Sequence, residues 1–186
     1  MPTHLTTLAL PALLLPLLLL TGCGGAAAIR TQPPPLADGL FRFTSTTQGF
    51  TLDYPEDWQV VSNLEAQLVV MPLDEDNEFL MSVNVVTENL PFARNLQSHW
   101  ESAERILAAS FEGYRTNGTA VVKVGGQEAL RVDYQGTTEG LSIRCRAYTI
   151  MDGRKAYVIT AACTPESFGR AGGVLTAVAE TFHLIP

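Results

Sequence analysis

The sequence predicts an α+β domain, an antiparallel β-sheet flanked by helices, and three observations carry that expectation. From Phe41 onward apolar residues alternate at period two in a series of short runs, the pattern of half-buried strands. Two longer stretches place apolar residues at helical spacing, around Trp100 and around Leu175. Short turn signals such as Gly125-Gly126 and Asp152-Gly153 join consecutive runs, and strands joined by tight turns pair antiparallel. Strands with few crossovers and two helices pack as a sheet covered by helices. At 186 residues the chain is about one domain long and large enough to bury a core without a cofactor.

In chain order, the first segment is residues 1–22, which contain no Asp, Glu, Lys or Arg. Leu5 to Leu20 are apolar apart from Thr6 and Thr7, and are broken by Pro11 and Pro16. This is the length of a signal-peptide core and short for a membrane span. Its n-region has only His4 and the free amine as positive charge. Leu20-Thr21-Gly22-Cys23 resembles the bacterial lipoprotein signal. There, small residues let extended backbone approach the signal peptidase, and the cysteine thiol carries diacylglycerol through a thioether. Cys23 is thus the expected lipidation site, acylated with chains of the palmitate class. Residues 23–40, rich in Gly, Ala and Pro without apolar periodicity, read as a tether. Its reach is on the order of 45 Å. Two or three acyl chains, at ~0.8 kcal/mol per buried methylene, would hold the domain at a membrane surface.

Residues 41–186 read as one domain. In "GFTLDYP", Phe50, Leu52 and Tyr54 share a face and Pro55 stops the strand. Trp58 to Val61, Leu68 to Met71 and "EFLMSVNVV" follow as further strands. Leu96, Trp100, Ala103, Leu107, Phe111 and Tyr114 predict an amphipathic helix from about Phe92 to Tyr114, ended by "TNG". "AVVKV" and "EALRVDY" flank Gly125-Gly126 as a hairpin, and "LSIRCRAYTI" and "KAYVITAAC" flank the Asp152-Gly153 turn. Thr164-Pro165-Glu166 reads as a helix start. The helix it opens turns Phe168, Ala171, Leu175 and Val178 inward, and Thr181 to Ile185 form a last strand.

Three stretches together resemble the PsbP-like family. They are Gly49-Phe50-x-Leu52-x-Tyr54-Pro55-x-x-Trp58, Val124-Gly125-Gly126 before Glu128-Ala129-Leu130-Arg131-Val132, and Asp152-Gly153-Arg154 before Tyr157-Val158-Ile159-Thr160. That family includes the photosystem II extrinsic protein, its cyanobacterial lipoprotein relatives and DcrB-type periplasmic lipoproteins. The resemblance covers Phe41 to Ile185. It implies an α/β/α sandwich around an antiparallel sheet and members that bind proteins rather than catalyse reactions. Phe50, Tyr54 and Trp58 would be core, and the glycines turns.

Composition narrows the function. The formal net charge is −7 and the only lysines are Lys123 and Lys155, which argues against nucleic acid, whose binding needs a cationic face. Arg144 and Arg146 with Arg131 could form a small basic patch on the sheet, or be ordinary residues of its polar face. No Gly-x-Ser-x-Gly, His-Glu-x-x-His, phosphate-binding glycine loop or Cys-x-x-Cys occurs in the sequence. His99, on the helix, and His183, on the last strand, read as ordinary surface or strand histidines, and Asp74 to Glu78 as a solvated loop. That run lacks the glycine and glutamate of an EF-hand at its sixth and twelfth positions, so no metal or cofactor is expected.

Cys145 and Cys163 lie on strands joined by the Asp-Gly turn, in an oxidising compartment. If Met151 faces Lys155 the two share a face and a disulfide can form. If Met151 faces Arg154 they point to opposite faces and cannot bridge. No positioned base marks either as a catalytic thiol. The sequence therefore points to a lipid-anchored, extracytoplasmic, non-enzymatic domain that binds or assembles with an envelope protein. A photosystem II accessory lipoprotein and a carrier of a small apolar ligand are the alternatives.

Overall fold

The computed structural model describes residues 39–61, 68–73 and 81–185. A seven-stranded antiparallel sheet runs through it in the order β3-β4-β5-β9-β8-β7-β6. Its strands are β3 (Trp58–Val61), β4 (Leu68–Pro72), β5 (Ser82–Asn89), β6 (Glu112–Val124), β7 (Gln127–Thr138), β8 (Leu141–Asp152) and β9 (Lys155–Cys163). A second sheet holds β1 (Leu40–Ser45), β2 (Phe50–Pro55) and β10 (His183–Leu184) in the order β1-β2-β10. Helix α1 (Leu96–Ser110) packs on β6, β7 and β8, and α2 (Phe168–Glu180) on β9, β5, β8 and β2. The fold is α+β, an antiparallel sheet with helices on both faces.

Period-two alternation builds two separate cores. Phe50, Leu52, Tyr54 and Trp58 meet Val83, Val85, Tyr148, Ile159, Leu175 and Phe182 in the core beneath α2. Leu130, Val132, Tyr134, Ile143 and Cys145 meet Trp100, Leu107 and Phe111 beneath α1. Each strand of the β7-β8-β9 meander contributes alternate residues to each core, as a two-sided sheet requires.

Three expectations need correction. The first helix begins at Leu96, where Asn95 caps it by accepting from Ser98 N at 2.8 Å, and ends at Ser110. Phe111, the C-cap of α1, and Tyr114, in β6, continue the apolar rhythm but are extended, and both pack in the same core. "TNG" terminates nothing; it lies within β6, where the register shifts twice. The second helix starts after a turn rather than at Thr164: Ser167 N donates to Thr164 O at 3.2 Å, and the helix runs from Phe168. The last strand is only His183–Leu184 and pairs with Thr51 and Phe50 in the small sheet.

Glycine matters most at Gly125, in the turn between β6 and β7. Its φ is +56° and a Cβ there would collide with Phe182 O. The hairpin turn can therefore press directly against the chain entering β10.

Candidate functional site

Of the residues singled out in the sequence, Cys23 and the run Asp74 to Glu78 lie outside the described residues. The register of β8 and β9 decides the relation of the two thiols. Met151 pairs with Ala156, rather than with Lys155 or Arg154, and Asp152 with Lys155, which sets Cys145 opposite Ala162 and Cys163 opposite Arg144. Cys145 therefore points into the α1 core and Cys163 into the α2 core. Both are free and buried, so the disulfide alternative is corrected: a one-residue change of register exchanges faces. Burial pushes the Cys145 thiol up to about 12 and the Cys163 thiol up to about 11. Thiols held so far above neutrality are not nucleophiles.

His99 is not a surface histidine. It is buried on the face of α1 that meets the sheet, and its Nε2 lies 3.1 Å from Glu88 Oε2 at the end of β5. Glu88 Oε1 and His99 Nδ1 are buried without hydrogen-bond partners among the described residues. His183 is exposed, its Nδ1 2.8 Å from Thr181 O. No group of three or more His, Cys, Asp or Glu side chains is placed to hold a metal among the described residues.

The basic patch has more structure. Register aligns Arg131 with Tyr148, Asp133 with Arg146, and Gln135 with Arg144 across β7 and β8. Since i and i+2 share a face, Arg131, Asp133, Gln135, Arg144 and Arg146 lie side by side. Asp133 and Arg146 form a two-point pair, Nε to Oδ1 at 2.7 Å and Nη2 to Oδ2 at 2.8 Å. Arg146 Nη1 also donates to Thr176 of α2 at 2.9 Å. Burial by itself would raise the Asp133 carboxyl, but the Arg146 hydrogen bonds and charge, with Arg131 and Arg144, bring it below its ordinary value.

Arg144 differs from its neighbour. Its guanidinium lies 4.1 Å from the centroid of the Phe168 ring, which Arg146 also approaches at 5.5 Å. Its Nε is buried without a hydrogen-bond partner among the described residues. The Phe168-x-x-x-Gly172 spacing positions that ring: a Cβ on Gly172 would sit 3.2 Å from Phe168 Cε1, so glycine lets the ring lie along the helix. Across β7, Arg115 of β6 pairs with Gln135 in register. In the amide orientation that satisfies both groups, Gln135 oxygen accepts from Arg115 Nη2 at 2.6 Å. Alternation alone points to the shared face of Arg144 and Arg146, and the register of β7 and β8 brings Arg131 onto it. The contributions of Asp133, Gln135, Arg115 and Phe168 depend on register and on where α2 sits.

No family model matches the chain, and no curated protein matches it in sequence. Solved structures do match. The cyanobacterial PsbP (CyanoP) of Synechocystis sp. PCC 6803 is similar with a TM-score of 0.61 at 16% identity, covering 89% of this chain and 98% of that one. LpqN of Mycobacterium tuberculosis, described as involved in cell envelope biogenesis, is similar with a TM-score of 0.57 at 12% identity, covering 79% and 92%. The Ran-binding protein Mog1p of Saccharomyces cerevisiae is similar with a TM-score of 0.54 at 10% identity, covering 78% and 95%. At these identities the likeness is one of architecture. The antiparallel sheet between two helices, with the small β1-β2-β10 sheet against it, is the PsbP-like fold.

Proposed function

We propose that this protein is a lipid-anchored, extracytoplasmic, non-enzymatic domain that binds or assembles with a protein of the cell envelope. The observation that carries the reading is Leu20-Thr21-Gly22-Cys23, followed by a Gly-, Ala- and Pro-rich spacer that ends where the folded domain begins. Two further facts support the non-enzymatic part. Both described thiols are buried and protonated at neutral pH, and His99 is held against Glu88 beneath α1. Among the described residues no helix is long and apolar enough to cross a membrane; on this reading the anchor is the lipid on Cys23.

Crosslinking of the full-length protein in cells, with mass spectrometry of what is captured, tests the proposal. A Cys23→Ser chain serves as the anchoring control. One reproducible envelope partner, lost or reduced with Cys23→Ser, is the expected outcome. No partner above background would overturn the binding role. Retention of Cys23→Ser in the membrane fraction, with unchanged palmitate labelling, would overturn the anchor.

A further inference from the structure

We propose that the trough floored by β7 and β8 and walled by α2 binds an acidic segment of a protein partner, whose carboxylates meet Arg144, Arg131 and Arg115. This deepens the protein-binding reading above and rests on it. The floor is two strands wide, about 10 Å, and α2 borders it through Phe168 and Thr176, which meet Arg144 and Arg146. Arg131 and Arg144 are half-buried on the floor, and Arg115 is exposed on β6. With Arg146 they set four guanidinium groups against Asp133 and against Glu180, which accepts from Tyr148 Oη at 3.1 Å. That is a local cationic excess on a chain whose formal net charge is −7.

The two arginines stacked on Phe168 show which positive charge is unmet. Arg146 is satisfied by Asp133 and Thr176. Among the described residues Arg144 has the ring but no carboxylate, and its Nε has no partner. A guanidinium oriented by an aromatic face has lost part of its freedom already, so less is lost when it meets a carboxylate. Arg131 stands two residues from Asp133, and among the described residues Arg115 meets the neutral amide of Gln135. Charge complementarity therefore selects an acidic occupant.

A short acidic peptide fits this charge distribution better than an extended polyanion. Nucleic acid or an anionic bilayer would meet the trough's two carboxylates and the acidic remainder of the molecule together. A segment carrying a few carboxylates meets only the trough.

The test is fluorescence anisotropy of labelled hexaglutamate, with hexalysine as control, titrated with the full chain carrying Cys23→Ser. The proposal expects saturable hexaglutamate binding that weakens with added NaCl. It expects a loss of about tenfold or more in Arg144→Gln and in Arg131→Gln, the size of one charge-assisted pair. Arg105→Gln, at an exposed position of α1, should bind as wild type. Arg144→Lys keeps the charge without the flat stack and should fall between. If Arg144→Gln does not fold, Arg131→Gln carries the test. Absent or variant-independent hexaglutamate binding would overturn the proposal. So would loss, in the arginine variants, of binding to phosphatidylglycerol vesicles when the peptide itself does not bind, which would assign the trough to lipid. A partner crosslinked equally well by Arg131→Gln and Arg144→Gln in cells would overturn the trough and leave the tethered-binding role standing. Arginine-dependent peptide binding without any envelope partner would support the trough and remove that role.

Discussion

Asp133 and Arg146 illustrate how much at the residue scale depends on pairing. The pair is largely buried, with side-chain exposures of 16% and 20%, so each charge depends on the other for solvation. Asp133→Asn should destabilise the domain by about 1–3 kcal/mol, read as a shift in urea midpoint at neutral pH. The folded carboxyl titrates below its ordinary 3.8, so the unfolded chain binds the proton more readily. The stabilisation is then fully present above the unfolded value and is lost as pH falls through the lower folded one. In Asp133→Asn the stability profile should lose that portion of its acid slope. An unchanged slope would mean the carboxyl is not held down. The thiols give a second measurement. Cys145 and Cys163 should react slowly with a thiol reagent in the folded state and both react in guanidinium chloride, whereas silence after unfolding would mean they are bonded.

At the scale of elements, helical rhythm marks both helices but has a defined weakness. Leu96, Trp100, Ala103 and Leu107 recur because α1 buries one face, but Phe111 and Tyr114 recur because β6 enters the same core. A hydrophobic period does not report a change of element when both elements serve one cluster. The cap does report the start: Asn95→Ala should cost about 1 kcal/mol, since Ser98 N loses its acceptor. At the hairpin between β6 and β7, Gly125→Ala combines a positive φ with a collision against Phe182 O. It should cost at least ~1–3 kcal/mol, measured by urea unfolding. A neutral result would show that the turn can move away from β10.

For the whole molecule, the main question is whether two cores behave as one. Trp58 sits in the α2 core and Trp100 in the α1 core, so chains carrying Trp58→Phe or Trp100→Phe report on one core each by fluorescence. Because alternate residues of β7, β8 and β9 belong to both cores, the expected outcome is coincident unfolding midpoints. Leu107→Ala and Leu175→Ala, both fully buried, should each lower stability by about 2–5 kcal/mol and shift both signals together. Separate transitions would mean that the sheet does not couple its faces.

Alternation and turn residues, which are local, determined most strands of the large sheet, the antiparallel order of the meander, and the shared face of Phe50, Leu52 and Tyr54. They also placed Arg144 and Arg146 on one face, because a period of two within one strand needs no partner to be read, whereas Arg131 joins them only through the register of β7 and β8. Local signals did not determine where β1, β2 and β10 would pair, since nothing in "GFTLDYP" or "TFHLI" distinguishes the edge of a large sheet from a small one. Nor could they choose the register after Met151, on which the separation of Cys145 from Cys163 depends. The pairing of Glu88 with His99 joins a strand end to a helix face, and the trough needs α2 to set Phe168 beside Arg144. Such contacts arise only when distant elements pack, so the tertiary structure decided the chemistry of both.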